Sequence, residues 1–156
     1  MKFEIYCDGS TRGNGKENSV GAWAYLIHEG DNVIRTGCEA EVNTTNQRME
    51  LKAAAEALDW VIMEIACPFD KIVVYTDSAY LHNCYAQKWY RAWEANGWKN
   101  SKKQPVANQD LWERLIKYFE QPEVEFVKVK GHAGDKYNEI VDTMAQTAST
   151  RLKESL

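Results

Sequence analysis

The sequence predicts an α/β protein with a mixed five-stranded sheet and helices on both faces. Alternating or β-branched segments predict five strands, and the segments between the later strands follow the helical period. The predicted order is β-β-β-α-β-α-α-α-β-α. The short connections between the first three strands favour antiparallel pairing, and the helical crossovers after the third and fourth strands favour parallel neighbours. The chain shows no repeat or linker, so we expect one domain over residues 1–156.

The first half of the chain contains three strands and a long helix. Residues 2–7 alternate and predict a strand that ends at Asp8-Gly9-Ser10. Residues 20–28 and Asn32–Val42 predict a hairpin through Glu29-Gly30-Asp31. Capping residue types at 43–46 precede a helix predicted over 47–65. The apolar stripe of that helix consists of Ala54, Ala57, Leu58, Val61 and Ile65.

The second half of the chain contains two strands and four helices. The β-branched residues of Lys71–Thr76 predict a buried strand, and the alternating residues 123–130 predict the last strand. The predicted elements are a strand over Lys71–Thr76, helices over Ala79–Gln87 and Trp89–Asn96, a helix from an Asn108 cap to Glu120, a strand over 123–130 and a helix over 136–152.

Composition excludes several classes of protein. Hydrophobic residues make up 44% and charged residues 27% of the chain, which is the balance of a folded soluble protein rather than a disordered or collagen-like one. No apolar stretch is long enough to span a bilayer and no export signal begins the chain, so we expect a cytoplasmic protein without a membrane partner. The four cysteines form no C-x-x-C pair and predict free thiols. Taken as a whole, the net charge of −4 argues against a nucleic-acid partner.

Two predicted strands end in an aspartate that is followed by small residues. Asp8 follows the first strand and Asp77 follows the fourth. In open α/β sheets ligands bind beyond the carboxyl ends of the strands, so both acids are candidates for a ligand site. The alternative is a turn or helix-capping role, which is common for aspartate at such positions.

Two further acids lie on predicted helices. Glu50 shares the apolar stripe of the helix over 47–65, where an unpaired charge is costly to bury. Asp142 flanks a stripe that includes Val141 and Ala145, and a solvated helix acid is the alternative there. Four carboxylates in one cleft would repel one another unless a cation lay among them. Oxygen ligands favour Mg²⁺ or Mn²⁺, the usual ions of phosphoryl transfer.

A set of short motifs in fixed order resembles ribonuclease H of type 1, in its free-standing bacterial form. The resemblance extends from about residue 2 to residue 150. Each motif is weak alone, and the ordered set is specific. The matching segments are Asp8-Gly9-Ser10, Thr45-Asn46-Gln47-Arg48-Met49-Glu50-Leu51, Thr76-Asp77-Ser78, Trp98-Lys99, Asp110-Leu111-Trp112 and Val129-Lys130-Gly131-His132-Ala133-Gly134, followed by Asn138 and Asp142.

The resemblance implies the ribonuclease H-like fold and hydrolysis of the RNA strand of RNA–DNA hybrids, leaving 3′-hydroxyl and 5′-phosphate ends. It implies two Mg²⁺ ions per site, with Mn²⁺ as a substitute. We expect the enzyme to be a monomer. His132 would assist catalysis from a glycine-flanked loop, since imidazole titrates near neutral pH. The metal-binding and catalytic acids that it implies are Asp8, Glu50, Asp77 and Asp142.

Substrate contacts are expected in three places. A basic segment, residues 88–103, has a net charge of +4 and contains three Trp. We expect Trp93 and Trp98 to pack and Trp89 to contact substrate. By resemblance, Thr45 and Asn108 would form a phosphate pocket for the DNA strand, and the minor groove would be read by Asn14, Asn46 and Gln47. The alternative for each amide is capping or loop solvation.

The sequence departs from the family pattern on the hybrid-binding side. Asn43, Glu94 and Ala95 replace basic residues, and Ala79 replaces Gln, which predicts weaker hybrid binding than a fully basic member would show. Two rival functions remain open at this point. A 3′–5′ exonuclease or transposase-like nuclease would keep the fold, but the exonucleases have an acid where this chain has Ser10. A non-catalytic hybrid-binding or partner-binding domain would not need all four acids.

Overall fold

The computed structural model describes residues 1–13, 18–65, 70–130 and 135–156. Within these residues the elements follow the predicted order. Their bounds are β1 Lys2–Arg12, β2 Val20–Glu29, β3 Asn32–Val42, α1 Asn46–Glu64, β4 Lys71–Thr76, α2 Ala79–Gln87, α3 Trp89–Asn96, α4 Gln109–Phe119, β5 Val124–Lys128 and α5 Lys136–Ser155.

The five strands form one mixed sheet in the order β3-β2-β1-β4-β5. The first three strands pair antiparallel, and β1 pairs parallel with β4, which pairs parallel with β5. The predicted mixed five-stranded sheet is therefore confirmed. The parallel half of the sheet brings the carboxyl ends of β1 and β4 to the same edge.

The prediction that β1 ends at Asp8-Gly9-Ser10 is wrong. The strand continues to Arg12, and Asp8 pairs with Ala24 within it. The reason is that β1 has two neighbours of different length. Its parallel ladder with β4 ends at Tyr6 opposite Tyr75, whereas its antiparallel ladder with β2 continues to Arg12 opposite Val20.

The two faces of the sheet carry separate apolar cores. Phe3, Ile5 and Cys7 point to the face that α1 and α4 cover, where the larger core lies. Tyr6 points to the opposite face and packs with Val141 of α5. Successive side chains of β1 thus point alternately to the two helical layers, as predicted from the strand's period.

Helix α1 begins at the predicted capping cluster. Thr45 is the N-cap, and its hydroxyl accepts a hydrogen bond from the backbone N–H of Arg48 at 3.2 Å. The predicted stripe faces the core: its first four members are fully buried, and Ile65 is half-buried at the C-cap. Glu50 lies on this buried face.

Other element ends differ slightly from the predictions. Strand β5 ends at Lys128 because its ladder partner β4 ends at Thr76, opposite that residue. Helix α5 continues to Ser155. Asn108 stands at the N-cap position of α4 but does not cap with its side chain; its φ of 62° is left-handed, and its amide bonds elsewhere.

The described cysteines agree with the predicted thiol state. Cys7 and Cys84 are buried and Cys38 is exposed, and all three are free. Cys67 lies outside the described residues. Among the described helices, none combines the length and apolar character needed to cross a bilayer.

Candidate active site

Three carboxylates converge where β1 and β4 separate. One carboxylate oxygen from each of Asp8, Glu50 and Asp77 lies within 4.8 Å of the others. Asp8 and Glu50 are each only 5% exposed, and Asp77 is half-buried. The structure therefore brings together three of the four acids that the sequence predicted for one cleft.

The register of the parallel strands explains why Asp8 and Asp77 meet. The last paired residues of β1 and β4 are Tyr6 and Tyr75. Each aspartate lies two residues beyond its member of that pair, so the two acids reach the same level of neighbouring strands. This is the edge where ligands bind in open α/β sheets.

Gly9 allows Glu50 to approach the two aspartates. A Cβ atom at Gly9 would lie 2.7 Å from the backbone nitrogen of Glu50 and 2.8 Å from the Cβ of Met49. The absence of a side chain therefore lets the second turn of α1 rest directly on β1. This contact places the Glu50 carboxylate beside Asp8.

The capping alternative for Asp77 is not what the structure shows. Ser78 is the N-cap of α2, and its hydroxyl accepts a hydrogen bond from the backbone N–H of Leu81 at 3.0 Å. The Asp77 carboxylate instead takes part in the acid cluster. Asp8 lies within a strand and not in a turn.

Asp142 adjoins this cluster from α5. It is half-buried, and both of its carboxylate oxygens accept hydrogen bonds from the Gln146 amide, at 3.1 and 3.0 Å. A side-chain hydrogen bond between Asp142 and Asp8 contributes to the raised pKa of Asp8. The fourth predicted acid thus lies beside the other three, on the opposite helical layer from Glu50.

The acids strongly perturb one another. Burial, followed by the negative charge of Asp77, raises the pKa of Asp8 to about 8. Burial, followed by the charge of Asp8, holds the pKa of Glu50 well above its usual range. These shifts show that the cluster disfavours full ionisation when no cation is present.

The donor set fits a hard divalent cation. All of the clustered ligand atoms are carboxylate oxygens, which suit Mg²⁺ or Mn²⁺. The Oε2 atom of Glu50 is buried and has no hydrogen-bond partner among the described residues. A cation among the three acids would satisfy that oxygen and relieve the repulsion.

A family model described as RNase H matches residues 1–150 of this sequence. The chain belongs to the ribonuclease H family. Ribonucleases H are metal-dependent nucleases, so this chain is an enzyme of that hydrolase class and its acid cluster is a site that could bind the family's divalent metal.

The similarity to individual ribonucleases H extends over most of the chain. The sequence is 41% identical to a ribonuclease H of Clostridium botulinum over 147 residues, which cover 94% of this chain and 95% of the relative. The crystal structure of LC9-RNase H1, described as a type 1 RNase H with the type 2 active-site motif, superposes with a TM-score of 0.80. That protein is 29% identical, and the match covers 96% of this chain and 72% of that one.

A more distant neighbour shares the fold alone. The foamy viral protease-reverse transcriptase, solved in complex with RNA/DNA hybrid, has a TM-score of 0.77 at 16% identity. The match covers 96% of this chain and 20% of that one. The ribonuclease H fold predicted from the resemblance is confirmed by these comparisons.

Two of the expected substrate residues share a cleft with the acids. Asn46 and Gln47 line a cleft of about 300 Å³ together with Glu50, Asp77 and Tyr80. Gln47 is exposed and Asn46 is half-buried. The first turn of α1 therefore carries amide side chains beside Glu50 and Asp77.

Thr45 and Asn108 are joined through a residue to which sequence reasoning gave no role. Arg48 donates from its backbone N–H to Thr45 and from Nη1 to the Asn108 Oδ1 at 3.2 Å. Its guanidinium also donates to both carboxylate oxygens of Asp110, at 3.0 and 2.8 Å. The sequence could have indicated this role, because Arg48 lies three residues after Thr45 and therefore on the same side of the helix.

Trp89 lies at the edge of an aromatic group. It is half-buried, its Nε1 donates to the Gln87 side chain at 2.9 Å, and its ring lies 6.2 Å from that of Tyr80. Trp93 packs against Trp98 with ring centroids 5.6 Å apart. The packing role expected for those two Trp is therefore confirmed.

Two predicted site residues lie outside the described residues. Asn14 falls in residues 14–17, and His132 falls in residues 131–134. Their roles stay predictions from the resemblance. The same holds for the assignment of individual roles to the described site residues.

Proposed function

We propose that this chain is an endoribonuclease that hydrolyses the RNA strand of RNA–DNA hybrids, acting as a monomer with one domain over residues 1–156. The observation that carries this proposal is the convergence of Asp8, Glu50 and Asp77 within 4.8 Å in a chain of the ribonuclease H family. Hybrid binding by the foamy viral neighbour, which has the same fold, supports the choice of substrate.

We assign Asp8, Glu50, Asp77 and Asp142 as the ligands of two Mg²⁺ ions, for which Mn²⁺ can substitute. When bound, such ions supply activation of the attacking water and stabilisation of the leaving 3′-oxygen, which leaves 3′-hydroxyl and 5′-phosphate ends. The chain's own contribution is to hold the carboxylates in place. Gln146 orients Asp142 by donating to both of its oxygens. His132 would accept or return a proton near neutral pH.

Substrate is held by groups around the acid cluster. Thr45 and Asn108 would donate to a phosphate of the DNA strand, and their joint contact with Arg48 supports a shared pocket. The minor groove and 2′-hydroxyls would be read by Asn46 and Gln47, beside the acids, and by Asn14. Trp89 would offer its ring face to a sugar or base.

The test is cleavage of a labelled RNA–DNA hybrid in Mg²⁺ or Mn²⁺. Single-stranded RNA and double-stranded DNA serve as substrate controls, and Asp8→Asn and Asp77→Asn serve as protein controls. We expect hydrolysis of the hybrid RNA strand, with loss of activity in both variants. Wild-type binding without cleavage would favour a binding module instead, and activity that survives Asp77→Asn would reject the assigned metal site.

A further inference from the structure

A polar pocket lies between the end of β1 and the C-terminal half of α5. Its volume is about 350 Å³, and no carboxylate lines it. The lining offers two guanidinium groups, two hydroxyls and one amide, all of which donate hydrogen bonds. The lining residues are Arg12, Gln146, Thr147, Thr150 and Arg151.

Direct contacts between the strand and the helix hold this pocket together. Arg12 Nη2 donates to the Thr150 hydroxyl at 3.0 Å. Two residues earlier on β1, the hydroxyl of Ser10 lies 3.3 Å from that of Ser149. Hydrogen bonds therefore join the strand to the helix. The contact with Thr150 also orients the guanidinium group of Arg12 in the ligand-free protein.

The two arginines of this pocket differ from three other arginines of the chain. Arg48, Arg91 and Arg114 each form an ion pair with a carboxylate. Among the described residues, neither Arg12 nor Arg151 has a carboxylate oxygen within 4.0 Å. Exposed guanidinium groups with no carboxylate partner are well suited to bind an anion.

One residue links the pocket to the acid cluster. Gln146 lines the pocket and also donates to both oxygens of Asp142. Arg12 follows Asp8 by four residues on the same strand, which is a distance of about 13 Å. Because one strand of a duplex rises about 3.4 Å along the helix axis per nucleotide, that distance corresponds to at most about four nucleotide steps.

We propose that this pocket is a phosphate-binding subsite for the RNA strand, within about four nucleotides of the bond that is cleaved. The inference rests on the proposed function, since it needs a hybrid at the acid cluster. Arg12 and Arg151 would bind the phosphate oxygens, and Thr150 would add a hydroxyl donor. The RNA strand is favoured because Thr45 and Asn108, assigned to the DNA strand, lie on the α1 side of the sheet, whereas this pocket lies on the α5 side.

The first test compares hybrid binding by Arg12→Ala, Arg151→Ala and the double variant with binding by wild type. Affinity is measured in EDTA over a range of salt concentrations. For the double variant we expect a dissociation constant about tenfold higher at low salt and a salt slope smaller by about 0.9 for each phosphate that the protein no longer neutralises. Arg35→Ala, which removes one arginine from the cavity beside Trp60, is the matched control and should leave both quantities unchanged.

The second test locates the bound phosphate on the substrate. The RNA strand is shortened on one side or the other of a single cleavage position, while the DNA strand keeps its full length. The loss of affinity in the double variant should disappear when the RNA is shortened on one side of the cleavage position, and it should persist when the RNA is shortened on the other side. A penalty that disappears only when the DNA strand is shortened would overturn the assignment to RNA.

The outcomes separate this inference from the proposed function. If wild type cleaves hybrid and the double variant matches it in affinity and salt slope, the subsite is wrong and the function stands. If wild type does not cleave hybrid in Mg²⁺ or Mn²⁺, the function itself fails and the subsite fails with it. All of these substitutions alter exposed arginines, so equal melting temperatures would confirm intact folding.

Discussion

The residues that we propose to carry the chemistry also destabilise the folded protein. Asp8 and Glu50 are almost completely buried, and their pKa values are raised because water is excluded and like charges are close. Burying such charges costs several kcal/mol unless a partner offsets the cost. The buried carboxylates therefore make the metal-free protein less stable than its apolar cores alone would make it.

We expect Asp8→Asn to stabilise the metal-free protein. The neutral asparagine avoids the cost of either protonating Asp8 at neutral pH or ionising it beside Asp77 and Glu50, for a gain of about 1–3 kcal/mol in the free energy of unfolding. The measurement is urea-induced unfolding in EDTA at neutral pH. Asp31→Asn, at an exposed acid in the β2–β3 turn, should change stability by less than about 0.5 kcal/mol. If Asp8→Asn lowered the free energy of unfolding, the buried carboxylates could not be the source of instability described above.

The same carboxyl predicts a pH dependence of stability without metal. Asp8 releases its proton near pH 3.8 in the unfolded chain but near pH 8 in the folded one. Between these values the folded state binds more protons, so the free energy of unfolding should fall as pH rises, by up to about 1.4 kcal/mol per pH unit for this group. Above pH 8 this contribution no longer changes.

Urea unfolding of the metal-free protein between about pH 5 and pH 8 measures this slope. The raised pKa of Glu50 acts in the same direction, so Asp8→Asn should reduce the slope without abolishing it. Stability of wild type that rises steadily with pH across this interval would refute the prediction.

At the scale of elements, the site depends on how closely α1 approaches β1. Strand β1 extends beyond its parallel ladder, and Gly9 lies in that extension, against the backbone of Glu50. Any side chain at this position would collide with backbone atoms, which cannot move out of the way as a flexible side chain can. The contact between strand and helix therefore sets the distance between Glu50 and the two aspartates.

We expect Gly9→Ala to damage both stability and activity. The added Cβ would lie 2.7 Å from the Glu50 nitrogen, so α1 must shift, at a cost of about 1–3 kcal/mol in the free energy of unfolding. Hybrid cleavage should fall more than tenfold, because displacing a ligand by about 1 Å has effects of that size. Both are measured on the purified variant, by urea unfolding and by initial rates.

Gly30→Ala provides the comparison for that variant. Gly30 lies in the β2–β3 turn with nothing within 4 Å of an added Cβ, but its φ is +57°. It should lose about 1 kcal/mol of stability through backbone strain and keep its activity. If Gly9→Ala lost stability only to the same extent and remained fully active, close packing at Gly9 would not be the constraint described above.

At the scale of the whole molecule, opposite charges are concentrated in different segments of the chain. The net charge of −4 includes the acids of the cluster, whereas the basic segment 88–103 carries +4. The net charge of the whole chain therefore does not reveal the basic segment, which is suited to bind phosphates. That value already includes Glu94, which lies exposed on α3. A neighbouring acid offsets the segment's charge further, since Arg91 pairs with Glu120 at 3.3 Å.

We expect Glu94→Lys to tighten hybrid binding. The change removes one negative charge from the basic segment and adds one positive charge, so affinity should rise several-fold at low salt, and the gain should shrink as salt screens it. Asp31→Lys makes the same change of charge in the β2–β3 turn and should have a much smaller effect. Equal affinity of Glu94→Lys and wild type at low salt would exclude a role for this segment in binding.

Local patterns in the sequence determined most of the elements and named the acids. Strand alternation, the Thr45 capping cluster and the stripe that contains Glu50 are properties of neighbouring residues, so they can be read without a partner. The resemblance added the identity of the site and the fold family. Asn14 and His132 rest on that resemblance alone, because they lie outside the described residues.

Only the tertiary structure decided how these pieces meet. The end of β1 depends on β2, the left-handed Asn108 turns its amide to Arg48 instead of capping α4, and Arg12 meets Thr150 across the sheet and helix α5. Residues far apart in sequence make these contacts, and strand register and close packing set them. A local sequence pattern specifies neither strand register nor close packing. The sequence by itself therefore determined the individual strands, helices and candidate acids, whereas the tertiary structure determined how they come together in the site.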